Sequence, residues 1–183
     1  MAGPVTLYRF RVDVSDVERG FYDVLDFRLV MHSSESSDYL LTRAIAYVLN
    51  YEEGIEITPG LASPDEPSVF VRGPQGQISL WIDIGNPSVR RLHKAAKASK
   101  RVKIYTYKDP QILIREAEGE KIHHAEEIEI FSLDGKFLHS VSSALERDNE
   151  WSLILNDGEI TVSIGETSFT TALRPHRLAG NVS

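Results

Sequence analysis

Gln77-Ile78-Ser79-Leu80-Trp81-Ile82-Asp83-Ile84-Gly85 is the stretch whose reading decides the fold. Ile78, Leu80, Ile82 and Ile84 alternate with Gln77, Ser79, Trp81 and Asp83, the two-residue period of a strand, so one face is apolar and the other carries an acid beside an indole. An acid in that place is expected to be solvent-exposed or a ligand. Upstream, Pro64-Asp65-Glu66-Pro67, a short apolar run and the turn Gly73-Pro74-Gln75-Gly76 predict a strand around residues 69 to 72 that pairs antiparallel with it. Carboxylates then lie on two consecutive strands. Downstream, Gly85-Asn86-Pro87-Ser88 reads as a loop and helix start, which puts Asp83 at the carboxyl end of its strand, where open α/β sheets usually build their sites.

The next segment, Ser88 to Arg101, reads as a helix capped by Ser88, with Val89, Leu92, Ala95, Ala96 and Ser99 at helical spacing. Val102-Lys103-Ile104-Tyr105-Thr106-Tyr107 then predicts a strand, completing a βαβ unit whose right-handed crossover makes the flanking strands parallel. Between Ile84 and Lys108 stand seven basic residues and no acidic one. The rest of the chain has 13 basic against 27 acidic residues, so charge is strongly segregated.

Two carboxylates from neighbouring strands beside a basic helix are what a magnesium-dependent phosphodiesterase needs. Hard oxygen ligands hold the cation, which polarises the phosphate and acidifies the attacking water, while a lysine offsets the charge developing on phosphorus. The plainer alternative stands beside it: acids at strand ends are common, and a basic helix face is usually solvated. Trp81 can stack on a base or be buried under the helix. Tyr105 and Tyr107 share a strand face and fit nucleic-acid contact or sheet packing equally well.

Elsewhere, Tyr8, Phe10, Val12 and Val14 alternate with Arg9, Arg11 and Asp13, and a run from Tyr22 to Met31 follows a polar turn, predicting an antiparallel pair. Ser34, Ser36 and Ser37 offer caps to a helix whose stripe is Leu41, Ala44, Ile45, Val48 and Leu49, with Glu35 at or just before its start, where the helix dipole favours a carboxylate. After Tyr107, strands are expected at Ile112 to Arg115, Glu127 to Leu133, Lys136 to Val141, Trp151 to Leu155, Glu159 to Ile164 and Ser168 to Ala172, with a hairpin at Asn156-Asp157-Gly158. These are expected to extend or cover the sheet. Arg174 to Ser183 is expected to form a mobile tail.

With 183 residues and 42% hydrophobic content, one domain over residues 1–173 is expected. There is no cysteine, which removes disulfides and thiolate metal sites and suits a reducing cytoplasm. No apolar run has signal-peptide or bilayer-spanning character, so no membrane is expected. The six histidines show no short ligand spacing, and no Gly-rich phosphate loop or G-x-S-x-G elbow is present.

Along nearly its whole length the chain resembles the YaeQ family of small bacterial proteins. The matching segments are Thr6-Leu7-Tyr8-Arg9-Phe10, His32 with Ser34-Glu35 before a helix containing Arg43, Gly60-Leu61 followed by Asp65-Glu66-Pro67, Leu80 to Gly85, Lys94-Ala95, and Tyr105-Thr106-Tyr107. The resemblance implies a variant of the restriction-endonuclease-like, PD-(D/E)XK fold: an α/β (α+β) mixed sheet with flanking helices and extra antiparallel strands in the C-terminal half. The usual site of that fold has an acid on one strand and acid-x-lysine on the next. If Asp83 is the second acid, the lysine position is Gly85; a lysine can have moved to the following helix as Lys94 or Lys97, or the chemistry can have been lost. The expectation is therefore a nuclease core with magnesium (or manganese) on Glu66, Asp83 and Glu35, Lys94 supporting the phosphate, and Arg90, Lys94, Lys97 and Trp81 contacting nucleic acid. The alternative is a non-catalytic protein on the same fold that binds nucleic acid or the transcription machinery through its basic helix.

Overall fold

The computed structural model describes residues 4–59 and 65–178. In chain order the elements are β1 (Val5–Asp16), β2 (Phe21–His32), α1 (Ser37–Leu49), β3 (Ile55–Ile57), β4 (Val69–Arg72), β5 (Ile78–Ile84), α2 (Val89–Ala98), β6 (Ser99–Thr106), α3 (Pro110–Ala117), β7 (Glu129–Ser132), α4 (Gly135–Ser142), β8 (Asp148–Asn156), β9 (Glu159–Ile164), β10 (Thr167–Ala172) and β11 (Arg174–Arg177). They form a mixed α+β fold with two mixed sheets and, among the described residues, four helices. None of these helices is long and apolar enough to cross a membrane. The chain divides into two compact units, and each draws on two separate stretches of sequence: 1–50 with 133–174, and 51–132 with 175–183.

The first unit holds a five-stranded sheet in the order β10-β9-β8-β1-β2. As the alternation predicts, β1 and β2 pair antiparallel from Val5↔His32 to Asp16↔Phe21. Phe10, Val12 and Val14 are buried on the inner face, and Phe10 stacks on Phe27 and meets Trp151 edge-on. Of the late strands, β7 extends the sheet that carries Asp83, but β8, β9 and β10 do not. Instead β8 runs parallel to β1, from Arg9↔Asp148 to Asp16↔Leu155, and β9 and β10 follow as antiparallel neighbours. The turn between β8 and β9 is the expected hairpin, with Asp157 and Gly158 both at positive φ as a tight two-residue turn demands. Ser36 caps α1 by accepting from the Tyr39 N–H, and Leu40, Leu41, Ala44, Ile45, Val48 and Leu49 fill its buried face.

The second unit holds a six-stranded sheet in the order β11-β7-β6-β5-β4-β3. Here β4 and β5 are antiparallel, β5 and β6 parallel across α2, and β6 and β7 parallel, as predicted for residues 69 to 72, 77 to 84 and 102 to 107, but the helix expected to reach Arg101 stops at Ala98 and Ser99 to Arg101 open β6. One face of this sheet packs into a core of Trp81, Val102, Ile104 and Ile130 with Leu92 and Ala95 of α2 and Leu113 and Ala117 of α3.

Two expected strands are helices. Ile112 to Arg115 lies in α3, which Asp109 caps from outside and Pro110 opens; proline at the first helical position gives up no hydrogen bond and its fixed φ suits the helix. Lys136 to Val141 lies in α4, capped by Asp134, with Phe137, Leu138 and Val141 buried at helical spacing. The expected tail also differs: Arg174 to Arg177 is strand β11, and Leu178 is 1% exposed within the second unit's core. Residues 179–183, Gly60-Leu61 and Pro64 lie outside the described residues.

Candidate functional site

At the carboxyl end of β5, both faces of the strand are covered. Asp83 is 2% exposed and Trp81 1%, because α2 lies on the face they share. The acid is neither solvated nor open: Arg91, on the first turn of α2, forks onto it, Nε donating to Oδ2 at 2.6 Å and Nη2 to Oδ1 at 2.9 Å. The same Nη2 donates to the backbone carbonyl of Glu66 at 2.6 Å, and the guanidinium carbon lies 5.8 Å from the Trp81 ring centroid. Ser88 accepts from the Arg91 N–H at 3.2 Å, so the helix cap that the sequence predicts also sets where this arginine leaves the helix. Trp81 has no face left for a base, and its indole Nε1 is buried with no hydrogen-bond partner among the described residues. The base-stacking role expected of Trp81 is thereby ruled out by burial.

Around this fork the structure brings together Asp65, Glu66, Asp83, Arg91 and Lys94. Lys94, one turn after Arg90 on α2, forms an ion pair with Asp65 at the surface. Glu66 keeps an exposed side chain. Lys97 goes elsewhere: it lines a cleft at the start of β6 with Lys100, Arg101, His123 and His124. Arg90 is exposed. Glu35 belongs to the other unit, where it accepts the His32 N–H at 2.7 Å immediately before the Ser36 cap. It also helps retain the charge of Arg43, whose pKa burial pushes below its ordinary value while Tyr39 and Glu35 act in the opposite sense.

Gly85 stands where acid-x-lysine would put the lysine. Its φ is +90°, a conformation that side-chain-bearing residues rarely adopt, and a Cβ there would meet the Tyr107 ring at 3.7 Å. The loop that follows is fixed by Gly85 N–H to Tyr105 O at 2.8 Å, Thr106 Oγ1 to Asn86 Oδ1 at 2.8 Å and Asn86 Nδ2 to Asp109 O at 3.0 Å. Tyr105 is buried against Phe131 and serves packing, whereas Tyr107 lies just beyond the end of β6 rather than on a strand face with it.

The donor set as it stands does not fit a magnesium ion. Hard dications need several oxygens free to converge, and both oxygens of Asp83 are already held by a cation of the chain itself. Among the described residues, the group of three metal-capable side chains within 4.8 Å of one another is His124, Glu126 and Glu127, all exposed on a surface turn. Arg91 is the residue that the reading of the basic run passed over. The available signal was its position four residues before the buried Ala95 and next to Leu92, which places it on the border of the helix face that meets the sheet.

A model of the family described as "YaeQ protein" matches residues 1–173. The chain belongs to the YaeQ family. "Uncharacterized protein YaeQ" of Escherichia coli (strain K12) is 29% identical over 165 residues, covering 89% of this chain and 91% of that one, and its Salmonella typhi counterpart is 28% identical over the same length. The crystal structure of YaeQ protein from Xanthomonas axonopodis pv. citri superposes with a TM-score of 0.87 at 24% identity, covering 96% of this chain and 99% of that one. That from Pseudomonas syringae gives 0.84 at 22%, covering 95% and 97%. The two crystal structures establish a shared fold.

Proposed function

We propose that this YaeQ-family chain is a non-catalytic nucleic-acid-binding protein on a restriction-endonuclease-like, PD-(D/E)XK core, attached through the basic surface of α2 and the start of β6. The observation that carries this reading is the fork of Arg91 on Asp83. It neutralises the acid best placed for catalysis with an internal cation, and Gly85 supplies no lysine. The exposed cations Arg90, Lys94, Lys97, Lys100 and Arg101 remain on the surface, where they can release counterions from a phosphate backbone. Support for the nuclease-like core comes from Asp83 on β5, with Glu66 three residues before the adjacent β4 rather than on it.

A second reading, magnesium-dependent phosphodiester hydrolysis by Glu66, Asp83 and Lys94, is favoured by one observation: Asp65, Glu66, Asp83 and Lys94 gather at one end of β5. It requires Arg91 to leave Asp83. Fluorescence anisotropy with labelled single- and double-stranded DNA and RNA, in chelator and in manganese, separates the two. The binding reading expects salt-dependent association that is indifferent to chelator and to Asp83→Asn, weakened by Arg90→Gln/Lys97→Gln. Manganese-dependent cleavage that disappears in Asp83→Asn would overturn it and establish the enzyme.

A further inference from the structure

At the opposite end of the sheet from Asp83, a cleft of about 400 Å³ opens where α2 ends and β6 begins. Six residues of parallel register, from Ile84↔Tyr105 back to Ile78↔Ser99, separate the two ends, about 20 Å along the strand. The cleft's floor is closed by Val102 and Ile128, which are 4% and 1% exposed, and Ala96 is its partly exposed apolar residue. Its rim is basic: Lys97, Lys100 and Arg101 stand against one lining carboxylate, Glu127. Among the described residues neither Lys97 nor Lys100 has an ion-pair partner, whereas Lys94, one turn earlier, is held by Asp65. The far wall is the imidazole pair His123 and His124, ring centroids 4.2 Å apart, and the His123 N–H donates to His93 Nδ1 at 3.1 Å, tying that wall to α2.

We infer that this cleft is a binding site for a nucleoside monophosphate, free or as the phosphorylated end of a strand. An inorganic anion needs only the cations. The exposed imidazoles of His123 and His124, with the partly exposed Ala96, are suited to a flat base, with the phosphate against Lys97 and Lys100, and the volume lies in the range of small-molecule sites. The inference deepens the nucleic-acid reading by giving the basic surface a discrete seat for one nucleotide, on a part of the chain away from the Arg91 fork.

The test is calorimetric titration of the full chain with adenosine and uridine monophosphates, ribose 5-phosphate and inorganic phosphate, repeated on Lys97→Ala/Lys100→Ala. Both lysines are exposed, so the variant is expected to fold, and circular dichroism checks it. The monophosphates should bind more tightly than the two base-free anions, and the double variant should weaken them about tenfold or more, the loss of two charge-assisted contacts. An oligonucleotide that competes with the monophosphate only when 5′-phosphorylated assigns the cleft to strand ends; a monophosphate that no oligonucleotide displaces assigns it to free nucleotides. No binding at millimolar monophosphate, unchanged affinity in the variant, or equal affinity for inorganic phosphate overturns the inference. Polynucleotide binding that survives such a result leaves the broader reading intact, and monophosphate binding without polynucleotide binding removes the broader reading alone.

Discussion

Replacing Arg91 with alanine strands the Asp83 carboxylate, whose side chain is 3% exposed, without its two donors. Removing one partner of a buried pair costs about 3–5 kcal/mol, far above the ~0.2–1 kcal/mol of an exposed pair, because the remaining charge is left desolvated. For a chain of this length that lowers Tm by about 6–20 °C. The reverse substitution is milder. Asp83→Asn leaves a guanidinium that is 19% exposed, retains the Glu66 carbonyl and can reach water, so about 1.5–3 kcal/mol is expected. The double variant Arg91→Met/Asp83→Leu should recover part of the loss, since an apolar pair of similar volume carries no desolvation penalty. Urea unfolding of the four proteins measures all three quantities. A loss below about 1 kcal/mol for Arg91→Ala would show that the fork contributes no more than a surface ion pair, and the argument that it fills the place of a dication would fail with it.

Leu178→Ala should cost about 2–5 kcal/mol in thermal or urea unfolding, because the residue is a core member of the second unit; a mobile-tail residue would cost nothing. Gly85→Lys, which restores the lysine position in sequence, should destabilise by about 1–3 kcal/mol through its φ of +90° and should create no metal-dependent cleavage in a nuclease assay. Asp109→Ala should cost about 1 kcal/mol and speed amide exchange in the first turn of α3 alone, since its carboxylate accepts the Gln111 N–H at 2.9 Å.

The β4-β5-α2-β6 segment was legible because every cue agreed: strict alternation in 78 to 84, a serine cap, a small-residue helix stripe and a β-rich run after it. The short helices α3 and α4 were not, because eight residues show little more than two turns of period, and Ile112, Ile114 and Val141 favour strands locally. Their caps carried the information instead: Asp109-Pro110 and Asp134 are helix-start chemistry. The parallel pairing of β1 with β8 has no local signal at all, since nothing near Arg9 points to Asp148. At the site, Glu66 and Lys94 lie near the end of β5 that carries Asp83 while Glu35 lies in the other unit, and burial of Trp81 and capture of Asp83 by Arg91 depend on which face α2 covers. A period-two pattern places Trp81 and Asp83 on one face without saying that the face is closed.

The division of sequence between the two units has a consequence for synthesis on the ribosome. When residues 1–50 emerge, β1 and β2 can pair as a hairpin, but the parallel neighbour of β1 is still untranslated, and the whole 51–132 stretch must pass first. The second unit is in the same position, lacking β11 and Leu178 until the end. The first unit thus waits for residues 133 to 174 and the second for residues up to Leu178, and the inner edge of β1 stays open during elongation, exposing an unpaired strand to other nascent chains. The late closure of both units makes C-terminal truncation products more aggregation-prone than their lost length alone would suggest.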